Sequence, residues 1–197
     1  MKLVLASGNP GKVREIEAIA HRALELVLQS TLGIAEAEEP HASFVENALA
    51  KARHASRAAR MPALADDSGL CVEALGGEPG VHSAYYAGRA GSREERDARN
   101  NTHLLAALEE DRRAYYCCLM VLVRRPDDPR PLIAEGIWRG EIARAPRGAN
   151  GFGYDPLFLL ANGKTAAELA PEEKNRISHR ALALRRLLEL LHAADRR

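Results

Sequence analysis

Short apolar runs alternate with helical repeats of apolar residues along most of this 197-residue chain. Residues 2–6 form an apolar run that predicts a first strand, and apolar side chains then recur at helical spacing over residues 13–20. Residues 24–29 alternate in polarity, and residues 115–123 are β-branched, aromatic and apolar, so both predict strands. Because strands and helices interleave, the pattern predicts an α/β fold with a mixed sheet.

The helix signals in the middle and at the end of the chain are clear. Ser43 and Glu46 have the spacing of a capping box and predict a helix start, and residues 92–109 predict a second helix capped by Ser92. A single last helix is predicted to begin near Pro171. Its buried face is predicted from a repeat of apolar residues: Ile177, Ala181, Leu184, Leu188 and Leu191.

Glycines recur between residue 132 and the predicted last helix. Residues 132–142 predict one or two strands, broken near residues 138–140, and residues 145–156 form a glycine-rich loop. Residues 157–160 are a further short apolar run.

Residues 63–70 contain the most unusual pattern, in which a short apolar run precedes Asp66, Asp67, Ser68 and Gly69. The apolar residues predict a buried strand. Adjacent carboxylates repel each other and are poor strand formers, unless a cation or a hydrogen-bond network offsets the repulsion. Two interpretations remain open. Either a strand ends here and delivers carboxylates to a divalent metal, or Asp67 and Ser68 close a polar turn.

The turn after the first strand has the composition of an anion site. Asn9 is a good helix cap and Pro10 suits a first helical turn, so residues 7–12 predict a helix N-terminus whose amides and dipole favour an anion. An ordinary strand–helix turn is the alternative. Farther along, Asn47 and Lys51 lie four residues apart, on a helix face that is either solvated or turned to a polar cleft.

Composition narrows the class of protein. With 28 basic and 27 acidic residues the net charge is +1, which argues against a general affinity for nucleic acid. No apolar run approaches the ~20 residues of a membrane span, and the three irregularly spaced cysteines suggest a reducing compartment. We therefore expect one cytoplasmic domain, residues 1–197, with no membrane or nucleic-acid partner.

The remaining polar residues suggest a nucleotide with its metal. Acidic residues occur near Glu38, Glu39 and Asp67, and separated cations include Lys12 and Lys51. Carboxylates without other ligand types suit a hard cation such as Mg²⁺, and cations beside a helix N-terminus suit a polyphosphate. A nucleoside triphosphate with magnesium satisfies both features.

Six motifs then make the resemblance specific. The chain resembles the inosine/xanthosine triphosphate pyrophosphatase family, also called non-canonical purine NTP pyrophosphatases, and the motifs follow in that family's order over nearly the whole length. They are Ser7-Gly8-Asn9-Pro10-Gly11-Lys12, Phe44-Val45-Glu46-Asn47-Ala48, Ala65-Asp66-Asp67-Ser68-Gly69-Leu70, Gly76-Gly77-Glu78-Pro79-Gly80-Val81, Gly151-Phe152-Gly153-Tyr154-Asp155-Pro156 and Ile177-Ser178-His179-Arg180.

This resemblance implies an elongated mixed β-sheet flanked by helices, with two lobes and a central substrate cleft. It also implies a Mg²⁺-dependent homodimer that hydrolyses dITP, ITP, XTP or dXTP to the monophosphate and pyrophosphate. Two alternatives stay open: a related pyrophosphatase for modified pyrimidine or guanine nucleotides, and a nucleotide-binding module without catalysis.

The resemblance also implies roles for individual residues. Asp67 is the expected general base and a metal ligand, with Glu39 or its neighbour Glu38 as the second ligand, while contact of Asp66 with metal is left open. The expected substrate-binding residues are Ser7, Gly8, Asn9, Pro10, Gly11, Lys12, Lys51, Ser68, Phe152, Gly153, Tyr154, Asp155, Lys174, His179 and Arg180. Phe152 or Tyr154 is expected to offer a stacking face to the purine, and His179, Arg180 or backbone amides are expected to donate to its O6.

One position departs from the family's pattern. Residues 83–88 contain Tyr85 where the family usually has a basic residue. A phosphate or dimer contact made at that position is therefore in question.

Overall fold

The computed structural model describes residues 1–20 and 23–195. The strands in this part of the chain are β1 (Lys2–Ala6), β2 (Glu25–Leu28), β3 (Ala63–Val72), β4 (Arg113–Val123), β5 (Leu132–Ile142) and β6 (Phe158–Leu159). The α-helices are α1 (Pro10–Ala20), α2 (Phe44–Ala59), α3 (Arg93–Ala107), α4 (Pro171–Ile177) and α5 (His179–Asp195). Short 3₁₀ turns cover Gln29–Leu32, Glu73–Leu75, Gly80–Tyr85 and Ala166–Glu168.

The strands form one sheet in the order β2-β1-β3-β4-β5-β6. β1 pairs in parallel with both β2 and β3, whereas β6 runs antiparallel to β5. The sheet is therefore mixed, as the sequence predicts. Within residues 1–20 and 23–195, no helix combines the length and the apolar composition that a membrane crossing needs.

The chain divides into two compact units. The first unit comprises Met1–Asp67, Cys118–Gly136 and Ser178–Arg197, and the second comprises Ser68–Cys117 and Ile137–Ile177. Each unit has its own apolar core.

Helices cover both sheet faces in the first unit. Leu3, Leu5 and Leu64 pack with apolar residues of α1 and α5, and the alternate residues Val4 and Ala63 pack with α2. On α2 the contact is made by a stripe of fully buried alanines: Ala48, Ala52 and Ala55. Because alanine lacks a long side chain, this stripe lets the helix approach the sheet closely.

An aromatic cluster forms the centre of the second unit. The ring centroids of Tyr116 and Phe158 are 4.6 Å apart, and those of Trp138 and Phe158 are 5.2 Å apart. Tyr154, Leu157 and buried residues of α3 complete this core. Rings of this size exclude water over a large area, which stabilises the second unit.

The predicted single last helix is in fact two helices. α4 ends at Ile177 and α5 starts at His179, with Ser178 as the cap whose hydroxyl accepts a hydrogen bond from the Ala181 amide at 3.3 Å. Ile177, predicted to be buried, is 37% exposed. The interpretation was wrong at this point because helical periodicity alone does not show that Ser178 caps a new helix.

The predicted strand break at residues 138–140 is also wrong. β5 is continuous from Leu132 to Ile142. Its glycines serve close packing instead, since a Cβ at Gly136 would overlap the backbone of His179 and Ala183, and one at Gly140 would meet the backbone of Leu159. These glycines are therefore required by neighbouring backbone rather than by a turn.

Candidate active site

Asp66 and Asp67 lie in the middle of a continuous strand. β3 runs from Ala63 to Val72, and the two residues are only 1% and 4% exposed. Both sequence-based interpretations of this stretch are wrong in geometry, because the chain neither ends its strand nor turns here. Successive strand residues point to opposite faces, so the two carboxylates separate to the two sides of the sheet. Lys12 pairs with Asp66 on one face, and Lys51 pairs with Asp67 on the other.

The pairing of β1 with β3 places the turn at residues 7–12 next to Asp66 and Asp67. Ala6, the last residue of β1, pairs with Ala65, so residues 7–12 begin beside the two aspartates. Asn9 caps α1 as predicted, since its Oδ1 accepts hydrogen bonds from the amides of Gly11 at 2.9 Å and Lys12 at 3.1 Å. The carboxylate of Glu36 lies against Gly8, where a Cβ would overlap it.

Asp66 is held by cations from two helices. Lys12 Nζ of α1 lies 3.1 Å from its Oδ2, and Arg180 Nε of α5 lies 3.5 Å from the same oxygen. Arg180, itself 1% exposed, also pairs with Glu15 of α1. Burial would raise the pKa of Asp66, but Lys12, Arg180 and Lys51 together hold it well below its ordinary value. Asp66 is thus a fixed anion that orders the two helices.

Asp67 faces α2 and has a different environment. The Asn47 amide donates to its Oδ2 at 3.3 Å, and Lys51 Nζ lies 3.5 Å from its Oδ1 and 3.2 Å from Glu39 Oε1. Burial raises the pKa of Asp67, Lys12 and Lys51 oppose this, and Glu39 and Asp66 add to the rise, so that the net direction is upward. A carboxylate with a raised pKa is a stronger proton acceptor, and Asn47 fixes its orientation.

The predicted Asn47–Lys51 face therefore points to the carboxylates. Burial would lower the pKa of Lys51, but Asp67, Asp66 and Glu39 raise it above its ordinary value. Lys51 thus stays charged while it joins Glu39 to Asp67.

Ion pairs tie this cluster together from several elements. They connect three cations to four carboxylates: Lys12, Lys51 and Arg180 to Glu15, Glu39, Asp66 and Asp67. Across residues 1–20 and 23–195, no three His, Cys, Asp or Glu side chains are grouped so as to hold a metal by themselves. Mg²⁺ needs only one or two protein carboxylates when a triphosphate supplies the other oxygens, so the donor pair Asp67 and Glu39 fits such an ion.

The aromatic segment predicted to bind substrate belongs to the second unit, where Asp155 organises it. Asp155 accepts the Phe152 amide at 2.9 Å and pairs with the buried Lys174. The Phe152 ring is half-buried and has Lys174 Nζ at 5.0 Å and the Arg93 guanidinium at 5.5 Å from its centroid. Cations over a ring face interact favourably with it.

Tyr154 has a different environment from Phe152. It is 3% exposed, and its hydroxyl donates to the Ser83 carbonyl at 2.9 Å. Burial raises the pKa of Tyr154. Since its ring belongs to the aromatic core, Phe152 is the better-placed ring for stacking on a ligand.

Tyr85, the departure from the family pattern, lies among arginines. It is 41% exposed, and the guanidinium carbons of Arg89 and Arg96 lie 4.3 Å and 5.6 Å from its ring centroid. Positive charge is therefore present at this surface although residue 85 carries none.

Several residues of these two clusters have no recognisable signal in the sequence. Glu15 and Glu36 could not be predicted because their contacts, Arg180 and Gly8, are distant along the chain. The signals for Asn47 are its spacing from Lys51 and its place in the motif Phe44-Val45-Glu46-Asn47-Ala48. Of the predicted set, Ser68 lies half-buried in the second unit, and His179 is 3% exposed at the start of α5.

Fold and site together define the class: an α/β protein with a buried carboxylate–lysine cluster suited to phosphate chemistry. The model of the Ham1 family matches residues 3–190. The chain therefore belongs to the Ham1 family, which confirms the family resemblance of its six motifs.

Named relatives and solved structures agree with this assignment. The chain is 63% identical over 194 residues to a dITP/XTP pyrophosphatase of Burkholderia pseudomallei, covering 96% of this chain and 93% of the relative. It is 62% identical over 196 residues to the enzyme of the same name from Bordetella pertussis, covering 98% and 92%. The structure of a HAM1 protein from Coxiella burnetii matches with a TM-score of 0.88 at 44% identity, covering 98% and 99% of the two chains. The Staphylococcus aureus Ham1 protein matches with a TM-score of 0.85 at 37% identity, covering 98% and 100%.

Proposed function

We propose that this protein hydrolyses non-canonical purine nucleoside triphosphates, such as dITP, ITP and XTP, to the monophosphate and pyrophosphate. Relatives above 60% identity that are named dITP/XTP pyrophosphatases support this reaction. The observation that carries it is the environment of Asp67: a buried carboxylate with a raised pKa, oriented by Asn47 and placed within reach of Lys51.

Asp67 acts as the general base in this proposal. It accepts a proton from water as the water oxygen attacks the α-phosphorus, and the bond from that phosphorus to the pyrophosphate leaving group breaks. A positioned base of this kind contributes ~10²–10⁴-fold to the rate. Lys12 and Lys51 stabilise the negative charge that develops on the phosphate oxygens.

Magnesium is the cofactor that we infer, held by Asp67 and Glu39. Glu39 is favoured over Glu38 because it shares Lys51 with Asp67 and contributes to the raised pKa of Asp67. Bound there, Mg²⁺ would supply positive charge to the triphosphate. Asp66, which is already paired with Lys12 and Arg180, supports the fold of the site rather than the ion.

We assign the remaining predicted residues to substrate binding. Residues 7–12 take the triphosphate, and the Phe152 ring stacks on the purine. Lys174 holds Asp155, which accepts the Phe152 amide. Stacking on an aromatic side chain is worth ~1–3 kcal/mol. Arg180 pairs with Glu15 and Asp66 and so supports the carboxylates. The candidates to donate to the purine O6 are His179, Arg180 and backbone amides.

Pyrophosphate release from dITP, XTP, dATP and dGTP with Mg²⁺ tests this function. We expect dITP and XTP to be turned over at least ~10²-fold faster than dATP, because a site built to bind O6 leaves its donor unpaired against an amino group. Equal turnover of all four nucleotides, or none, would reject the proposal. Modified pyrimidine and guanine nucleotides added to the panel separate the alternative substrates.

We also infer a homodimer from the family resemblance, and a cytoplasmic location from the composition of the chain. Cys71, Cys117 and Cys118 are buried thiols, and their irregular spacing along the chain suggests a reducing compartment. Light scattering at micromolar concentration tests the oligomeric state, and a monomeric mass would contradict the dimer.

A further inference from the structure

One face of α3 contacts the substrate-binding segment of the second unit at three points. Arg93, Asp97 and Asn101, the α3 face, lie four residues apart and therefore on one side of the helix. Arg93 lies over the Phe152 ring, at 5.5 Å from its centroid. Neither the motif pattern nor any expected role of the chain uses these three residues.

The α3 face makes hydrogen bonds to both the amide and the carbonyl of Gly153. Asp97 Oδ2 accepts the Gly153 amide at 2.9 Å, and Asn101 Nδ2 donates to the Gly153 carbonyl at 2.9 Å. Asn101 also donates to the Asp97 carbonyl at 2.8 Å, which fixes its own orientation. A hydrogen bond to an ionised acceptor is about twice as strong as a neutral one, so Asp97 is the main anchor.

Gly153 is a residue whose position needs such anchors. Its φ is +64°, in the left-handed region, and nothing lies within 4 Å of the place where a Cβ would stand. The segment is therefore held by hydrogen bonds and not by side-chain packing at this residue. Phe152, directly before it, is fixed by Asp155 on one side and by the α3 face on the other.

We propose that Arg93, Asp97 and Asn101 are positioning residues that set the place of the Phe152 ring and so determine affinity for the purine end of the substrate. The inference rests on the proposed function, in which Phe152 stacks on the base. None of the three residues has been assigned to the triphosphate or to the proton transfer, so their loss should change base binding and leave the chemical step intact.

Calorimetric titration with two probes, inosine 5′-monophosphate and inorganic pyrophosphate, tests this role without requiring turnover. The variants are Asp97→Ala, Asn101→Ala, Arg93→Gln and the conservative Asp97→Asn, which keeps an acceptor oxygen for the Gly153 amide. Glu94→Gln is the matched control, because it removes one negative charge from an exposed position of the same helix.

We expect Asp97→Ala to weaken inosine monophosphate binding by ~10-fold or more, because small displacements of a binding group have large effects. Pyrophosphate affinity should stay within about 2-fold, Asp97→Asn should recover much of the loss, and Glu94→Gln should resemble wild type. In steady-state assays the same change should appear in KM for XTP and dITP, with kcat nearly unchanged.

Two results would overturn the proposal. One is an inosine monophosphate affinity that is absent in wild type or equal in wild type and Asp97→Ala. The other is an equal loss of affinity for both probes, which would indicate a general loss of structure. A wild type that binds inosine monophosphate but releases no pyrophosphate from any nucleotide would reject the proposed function alone, and the titration would still decide the role of the α3 face.

Discussion

Asp66 and Asp67 are neighbours in sequence, yet their carboxylates are neutralised on opposite faces of one strand. Lys12 lies 3.1 Å from Asp66 and Lys51 lies 3.5 Å from Asp67. Alternation along β3 thus places the two carboxylates on opposite faces, each beside a lysine, and their pKa values shift in opposite directions. One carboxylate is suited to stabilise the structure, and the other is suited to accept a proton.

Asp66 should make the metal-free protein sensitive to acid. Its folded pKa lies below the ordinary value of 3.8, so the unfolded state binds more protons as the pH falls through this region, and the free energy of unfolding decreases. The stabilisation is complete above about pH 5 and is lost progressively below it. Urea unfolding between pH 3 and pH 7 measures this slope.

Asp66→Asn is the matching variant. It should lower the stability at pH 7 by ~3–5 kcal/mol, since it leaves Lys12 and Arg180 buried with less compensation. It should also flatten the acid slope. Wild-type stability with an unchanged slope would show that Asp66 has no such role.

Lys51→Met should move the pH profile of activity. Burial, Glu39 and Asp66 raise the pKa of Asp67 and Lys51 lowers it, so removal of Lys51 should raise this pKa further. The acid limb of kcat/KM should shift to higher pH, and kcat at neutral pH should fall by ~10²-fold. Lys2→Met is the control, because Lys2 is exposed and pairs with Glu25. An acid limb that stays in place, or moves to lower pH, contradicts the assigned contact.

Arg180 and Glu15 should be energetically coupled. Arg180 is fully buried, and removal of its partner in Glu15→Gln should cost ~3–5 kcal/mol of stability. A double-mutant cycle with Arg180→Met should give a coupling energy of ~1–3 kcal/mol in urea unfolding. Additive effects of the two substitutions would mean that the pair does not form in solution.

Gly136→Ala should disturb the packing of α5 on the sheet. The added methyl group would overlap the backbone of His179 and Ala183, and overpacking of this kind costs ~1–3 kcal/mol. Thermal unfolding compared with Ile133→Ala, at an exposed position of β5, measures the effect. If the variant is as stable as wild type, α5 can shift to accommodate the methyl group without loss of stability.

Local signals account for what the sequence predicted well. The first strand, the Asn9 cap and the helix starts at Ser43 and Ser92 depend on neighbouring residues, so the chain itself encodes them. The shared face of Asn47 and Lys51 was also predicted, because helical spacing places both side chains together.

Tertiary partners decide what the sequence could not show. The strand continues through Asp66 and Asp67 because Lys12, Lys51 and Arg180 reach it from three different helices. The strand break predicted near residues 138–140 does not occur, because Gly140 packs against the backbone of Leu159 in a neighbouring strand. The α3 face could not be predicted for the same reason, because Asp97 and Gly153 are far apart in sequence.

Steady-state release of pyrophosphate from XTP by Asp67→Asn and wild-type protein tests the central claim most directly. The amide keeps the shape of the carboxylate but accepts no proton, so kcat should fall by ~10²–10⁴-fold while circular dichroism and urea unfolding show an intact fold. Residual activity within a few-fold of wild type, in a folded variant, would remove Asp67 from the role of general base.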